Sequence, residues 1–159
     1  MAASVDVVEF QLGEEHYALD IQIAREIVEM MPITPLPRAP EYLTGIINLR
    51  GEITNIIDLR DLLGLPASAE AENRKIVVLM PDVASGSNVG IIVDDVHSVI
   101  SVHNDQIERI SDDITSSISG YVKAIIKIGD EEDEKTKTLI IWLDIQKVIS
   151  DLGYYQNTQ

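Results

Sequence analysis

Three carboxylates in this chain stand where chemistry is conceivable. Asp94 and Asp95 close one apolar run, and Asp58 ends another. Carboxylates gathered in a cleft can share a proton for acid–base work or hold a divalent cation. Here each follows a strand-like segment, where acids cap chain ends or face water. No phosphate loop or nucleophile motif accompanies them: Gly-x-Ser-x-Gly, Gly-x-Gly-x-x-Gly and a Gly-rich loop ending in Lys-Ser/Thr are all missing. His16, His97 and His103 are scattered, and none lies at a metal-ligand spacing from another ligand type. The acidic run 130–134 lacks the alternating ligands and central glycine of an EF-hand, so it reads as a solvated hairpin end. The expectation is a protein with no catalytic site, no metal and no cofactor.

One cation is out of place. Arg50 interrupts Ile46-Ile-Asn-Leu-Arg-Gly51, inside a strand pair otherwise built from apolar residues. A guanidinium carries five donors and stays charged, so beside a core it needs acceptors. Either it pairs with a carboxylate or backbone carbonyls of its own chain, or it rims a groove and donates to a partner. Spacing alone leaves both open.

The elements that must position these residues come in two similar sets. Glu41-Tyr-Leu-Thr-Gly-Ile-Ile-Asn-Leu-Arg-Gly51 followed by Asn55-Ile-Ile-Asp-Leu-Arg-Asp-Leu-Leu63 resembles Gly120-Tyr-Val-Lys-Ala-Ile-Ile-Lys-Ile-Gly129 followed by Ile141-Trp-Leu-Asp-Ile-Gln-Lys-Val-Ile149. Tyr42 aligns with Tyr121 and Asp58 with Asp144, with an insertion over 129–137 in the second copy. Weaker echoes lie upstream. Leu19-Asp20 with Ile23 and Ile27 resembles Val93-Asp94 with Val96 and Val99, and 5–12 resembles 75–80. Two copies of a small β unit leave a groove between them, which favours a binding module.

Local signals predict about ten strands and two or three short helices. Segments 5–12 and 16–21 read as a hairpin turned at Gly13, and 23–30 as one helical turn and then a strand. Pro32, Pro35, Pro37 and Pro40 make an extended connector, anchored by Ile33 and Leu36. Strands are expected over 43–48 and 53–57, with Asp58 capping a helix that Gly64 stops. The stretch 66–73 is the expected joint between copies. Strands follow over 75–80, 89–93, 96–102, 122–128 and 138–143, with 105–119 irregular. Asp144 should cap a last helix over 145–152, stopped by Gly153, with a frayed tail.

Composition narrows the partners. The 159 residues include 27 acidic and 12 basic side chains, a formal net charge of −15. That field repels phosphate backbones and anionic membranes, so nucleic acid is not an expected partner. There is no cysteine, hence no disulfide. No apolar run approaches the ~20 residues of a membrane span. The first residues lack the basic and apolar regions of a signal peptide, and a cytoplasmic location is expected. Aromatics are few at 4%, and abundant Ile and Val suit pleated sheets.

The segment Gly45-Ile-Ile-Asn-Leu-Arg-Gly-Glu-Ile-Thr-Asn-Ile-Ile-Asp-Leu-Arg60 strongly resembles the central motif of CheW-like domains. Phe10-x-Leu-Gly-Glu-Glu-x-Tyr-Ala-Leu-Asp-Ile21 resembles the opening hairpin of that family, and Glu26-Ile27 and the proline-rich 32–40 follow in the expected order. Val89-Gly-Ile-Ile-Val-Asp94 and Leu139-Ile-Ile-Trp-Leu-Asp144 match its second half. The resemblance spans roughly residues 5–152. It implies a mainly β fold of two intertwined five-stranded SH3-like or OB-like barrels, one domain over 1–159. The first sub-barrel would cover about 5–65 and the second about 74–152, with elements exchanged between them.

The resemblance also implies a function. CheW is a non-catalytic adaptor that couples methyl-accepting chemotaxis receptors to the histidine kinase CheA, whose regulatory domain shares the fold. Carried over residue by residue, the groove for the receptor's cytoplasmic hairpin tip would include Ala24, Gly45, Asn48, Arg50, Gly51, Val93 and Val99. The face for the kinase would include Ile21, Glu26 and Ile27. Ala24 is smaller than the aliphatic residue usual there, and the acidic stretch after Gly129 is longer than usual. The kinase's catalytic domains and a receiver do not fit in 159 residues, so a free-standing adaptor recruited to receptor arrays is expected. The alternative is the CheW-like domain of a CheV-type coupling protein.

Overall fold

The structure is a computed structural model, and it describes residues 4–65, 73–84, 86–109, 120–129 and 138–156. Among the described residues, eleven strands form two sheets. In chain order they are β1 (Ser4–Leu12), β2 (Glu15–Asp20), β3 (Ala24–Glu29), β4 (Leu43–Leu49), β5 (Glu52–Asp58), β6 (Lys75–Leu79), β7 (Val89–Val93), β8 (Asp95–His103), β9 (Ile107–Glu108), β10 (Val122–Ile128) and β11 (Thr138–Leu143). Helix α1 (Leu59–Leu63) follows β5, and α2 (Ile145–Gln156) follows β11. The first sheet has the order β8-β1-β2-β11-β10-β9, and the second β3-β6-β7-β5-β4. The fold is thus mainly β, as the sequence predicts. The short β9 gives the first sheet a sixth strand, where five were expected.

The internal repeat has a topological counterpart. Each sheet contains an antiparallel hairpin whose second strand lies parallel to a strand from elsewhere. In the second sheet β5 runs parallel to β7, and in the first β11 runs parallel to β2. Matching β1, β2, β3, β4 and β5 with β6, β7, β8, β10 and β11 reproduces both orders. Each sheet therefore takes the first hairpin of one repeat and the last hairpin of the other. The aligned residues do the same work in each copy. The Asp58 amide donates to the Tyr42 carbonyl at 2.8 Å, and the Asp144 amide to the Tyr121 carbonyl at 2.7 Å. Asp58 accepts from the Arg60 amide to start α1, and Asp144 accepts from the Lys147 amide at the start of α2.

Alternation along the strands feeds three cores. On β6, Val77 and Leu79 enter a large core shared by both sheets, while Ile76 and Val78 enter a small core inside the second sheet's barrel. On β1, Val8, Phe10 and Leu12 enter the shared core, and Val7 enters the first barrel's own core with Ala18, Ala124, Ile126 and Trp142. Strands covered on both faces need apolar residues at every position, which is why β7 reads Val-Gly-Ile-Ile-Val without polar alternation. Truncating Phe10, fully buried at the shared centre, would cost about 3–5 kcal/mol.

Local signals fix most ends. Gly64 takes a left-handed conformation (φ 72°) and stops α1. Gly153 does not stop α2, which runs on to Gln156; an internal glycine costs a helix only about 1 kcal/mol and breaks no hydrogen bond. The joint over 66–72, most of the irregular stretch over 110–119 and the acidic run 130–134 fall outside the described residues.

Candidate interaction site

The second sheet curls so that its edge strands β3 and β4 approach each other. The connector after β3 completes the closure: Thr34 and Ile46 exchange two backbone hydrogen bonds of 2.9 Å. This approach explains Gly45. A Cβ there would overlap the Thr34 carbonyl oxygen and sit 2.8 Å from the Ile33 side chain. Gly45 is buried under the connector, so the close approach it permits is that of its own chain.

Asn48, Arg50 and Gly51 form the turn at the end of the β4–β5 hairpin. Leu49 and Glu52 pair, leaving Arg50 and Gly51 as a two-residue loop. Both have positive φ, 52° and 87°, the backbone of a type I′ turn. The Asn48 side chain accepts from the Gly51 amide at 2.8 Å and locks the turn. Glycine suits its place. Arginine does not, because a side chain crowds the left-handed backbone, and Asn, Asp or Gly are the residues that position prefers.

The turn aims Arg50 across the seam. Its guanidinium donates to the Glu26 carboxylate of β3, and Arg25 lies 3.6 Å from Glu52 in a second pair across the same seam. The Arg50 side chain remains 62% exposed. The hydrogen bond to Glu26, then its charge, raise the pKa further, so the group is a permanent cation. Arg50 thus has a carboxylate of its own chain and also stands at the surface with donors to spare.

The other expected contact residues divide by burial. Ala24 is half-buried at the start of β3 against the shared core. Val93 is fully buried within that core, and its side chain reaches no surface. Val99 is 52% exposed on β8, an edge strand, opposite Val8. Ile21 and Ile27 are exposed. Glu26 and Ile27 face opposite sides of β3, because side chains alternate along a strand. Ile27 lies on the side of Val77 and rims the shared core, while Glu26 turns to Arg50. The expected kinase set is therefore split, with Glu26 grouped with the receptor set. Ile27 and Val99, aligned in the repeat, occupy matching places on the two edge strands β3 and β8.

Sequence reasoning missed Met80. It is exposed, and its amide donates to the Ile23 carbonyl at 2.8 Å, just before β3. Its position at the end of an apolar run concealed it. The three carboxylates are structural. Asp58 caps α1, Asp95 accepts from the Val96 amide, and buried Asp94 accepts from the Gly13 amide at 2.6 Å. Arg60 and Arg74 flank Asp94 at 3.7 and 3.8 Å. Strand pairing, however, brings two of the scattered histidines together: the His16 and His97 rings stack at 5.2 Å.

Comparison with known proteins gives a consistent picture. The CheW-like domain profile matches residues 6–153. The chain is 35% identical over 145 residues to the chemotaxis protein CheW of Treponema pallidum, covering 91% of this chain and 81% of that one. It is 30% identical over 149 residues to CheW of Thermotoga maritima, covering 92% and 89%. Among solved structures, the crystal structure of the scaffolding protein TtCheW from Thermoanaerobacter tengcongensis superposes with a TM-score of 0.74 at 31% identity, covering 92% of each chain.

Proposed function

The chain belongs to the CheW-like domain family, and from that premise we propose that it couples chemotaxis receptors to the histidine kinase CheA. As a family member it is a non-catalytic chemotaxis adaptor. The finer reading assigns the receptor's cytoplasmic hairpin tip to the seam of the second barrel. Asn48, Arg50 and Gly51 would present the polar contact there. Ala24 would offer an apolar rim there and Val99, on the edge strand β8 of the first sheet, a second apolar contact, with Gly45 and Val93 shaping the surface from beneath. A helical hairpin tip docks through apolar anchors with a few directed hydrogen bonds. The kinase regulatory domain would meet the exposed apolar edge at Ile21, Ile27 and Met80, with Glu26 at the border of the two surfaces. Apolar centres with polar rims are the usual anatomy of such contacts.

The observation that carries this reading is Arg50 in a left-handed turn position. Its backbone is unfavourable for arginine, and its side chain fills no core. Strain kept at an exposed position fits a functional side chain. No helix among the described residues is long and apolar enough to cross a membrane, so recruitment to receptor arrays would come through these protein contacts. Co-sedimentation with receptor-containing membranes, with and without CheA, tests it. Receptor-dependent pelleting that Arg50→Glu abolishes supports the assignment. Failure to pellet under any condition removes it.

A further inference from the structure

The first sheet carries a cluster of ligating side chains that the adaptor reading does not use. Strands β8, β1 and β2 are neighbours in that order. Glu9 and Gln11 lie on β1, His16 on β2 opposite Gln11, and His97 on β8. By alternation Glu9 and Gln11 share the face of Val7, and His16 that of Ala18. The group therefore sits just past the end of the first barrel's small core. One ligating atom from each of Glu9, His16 and His97 lies within 4.8 Å of the other two.

We propose that Glu9, His16 and His97 form a binding site for a divalent borderline metal ion of the zinc type. Two imidazoles and one carboxylate are a donor set that such ions favour, and one that the hard ions magnesium and calcium do not. The orientation of the rings supports it. The Gln11 amide nitrogen donates to the Gly13 carbonyl at 2.8 Å, which turns its oxygen toward His97 Nε2 at 3.0 Å. His97 Nε2 then carries the proton, and Nδ1 keeps the lone pair that a metal needs. His16 Nδ1 lies 2.7 Å from Glu9 Oε2, so these two atoms already face one point, and an ion between them would displace the proton they share. A histidine held through its second nitrogen by an oxygen acceptor, as His97 is by Gln11, is the usual outer-shell arrangement of a metal site.

Charge points the same way. The Glu9 side chain is only 15% exposed. Among the described residues, no lysine or arginine forms an ion pair with it. A metal ion would supply the missing charge. Ligand atoms around zinc, at about 2.1 Å from the ion, sit roughly 3.4 Å from one another, so the His16–Glu9 pair must open slightly from 2.7 Å and His97 must draw in. His97 is exposed and can rotate to do so. Three protein ligands would leave one position for water, and the ion would pin edge strand β8 to the β1–β2 hairpin.

Calorimetric titration of the full chain with zinc at pH 7.5 in chelator-free buffer tests this. The expected result is one site per chain. Glu9→Gln, His16→Gln and His97→Gln should each weaken it about 10-fold or more, while His103→Gln, at the far end of β8, should leave it unchanged. Millimolar magnesium should not compete. Zinc should raise the melting temperature of the wild type but not of His97→Gln, whose exposed side chain contributes no core packing. Equal zinc binding by the His16→Gln/His97→Gln double variant would assign it to the acidic surface and overturn the site. Absence of binding by the wild type would overturn it as well.

Discussion

The Arg50 guanidinium donates to the Glu26 carboxylate across the seam of the second barrel, linking a turn and an edge strand 24 residues apart in sequence. The contact joins a residue of the proposed receptor groove to one of the proposed kinase face. A receptor that drew Arg50 away would release Glu26 at the border of the other surface. The pair is exposed, so its own contribution to folding is small.

Arg50→Glu and Arg50→Asn separate binding from folding. Both should lose receptor-dependent co-sedimentation. Arg50→Glu should melt within a few degrees of wild type, since it loses only a surface pair and gains a repulsion with Glu26. Arg50→Asn should melt higher than wild type, because Asn-Gly is the preferred sequence for this turn. Unfolding of either variant would mean that Arg50 is a structural residue.

Gly45 is expected to tolerate nothing larger. Gly45→Ala pushes a methyl group into the Thr34 carbonyl and the Ile33 side chain. The connector must then shift, with loss of the Thr34–Ile46 bridge, at a cost of about 2–3 kcal/mol. Chemical denaturation measures it. A change under about 0.5 kcal/mol would show that the connector can move freely and does not close the barrel.

How much of this was legible depended on distance along the chain. The Asp58 cap, the Gly64 stop and the proline-rich connector are local events, and residue type announces them. The repeat was legible because Tyr42 and Tyr121, and Asp58 and Asp144, keep the same local neighbours. The seam pair Glu26–Arg50 and the His16–His97 stack depend on which strands become adjacent, and strand-by-strand alternation does not carry that. Val93 and Val99 show the same limit within one repeat. Both are valines in β segments, yet one is wholly buried and the other half-exposed. Only the covering of β7 by neighbours on both sides, and of β8 on one, distinguishes them.

Tyr17 sets an alkaline limit to stability. It packs in the shared core, stacked on Phe10 at 6.0 Å. Burial first, and the charge of Glu15 second, raise its pKa above the ordinary 10.0. The folded state therefore favours the neutral phenol. That stability is fully present below pH 10 and is lost as pH rises from there through the raised folded value. The difference in stability between wild type and Tyr17→Phe should be flat from pH 7 to about 9.5 and should then turn against the wild type. Denaturation midpoints across that range read it directly. A difference that stays flat to pH 11.5 would mean that the phenolate is accommodated in the core.

Ile27→Asp tests the kinase face. Ile27 is 43% exposed on the rim of the shared core, and the nearby cations Arg25 and Lys75 already pair with Glu52 and Glu29. In the free protein the aspartate can turn to water, so the loss of stability should stay near 1 kcal/mol. In a complex with the kinase regulatory domain the same carboxylate would be buried against an apolar partner. Desolvating it unpaired should cost several times more, about 2–5 kcal/mol, or a 30-fold or greater loss of affinity. Val99→Asp, at the matching place on β8, is the control within the same fold. It should weaken receptor-dependent pelleting and leave the kinase titration unchanged. Equal effects of both substitutions on kinase binding would mean that the two edge strands serve a single partner, and the division into two faces would fall.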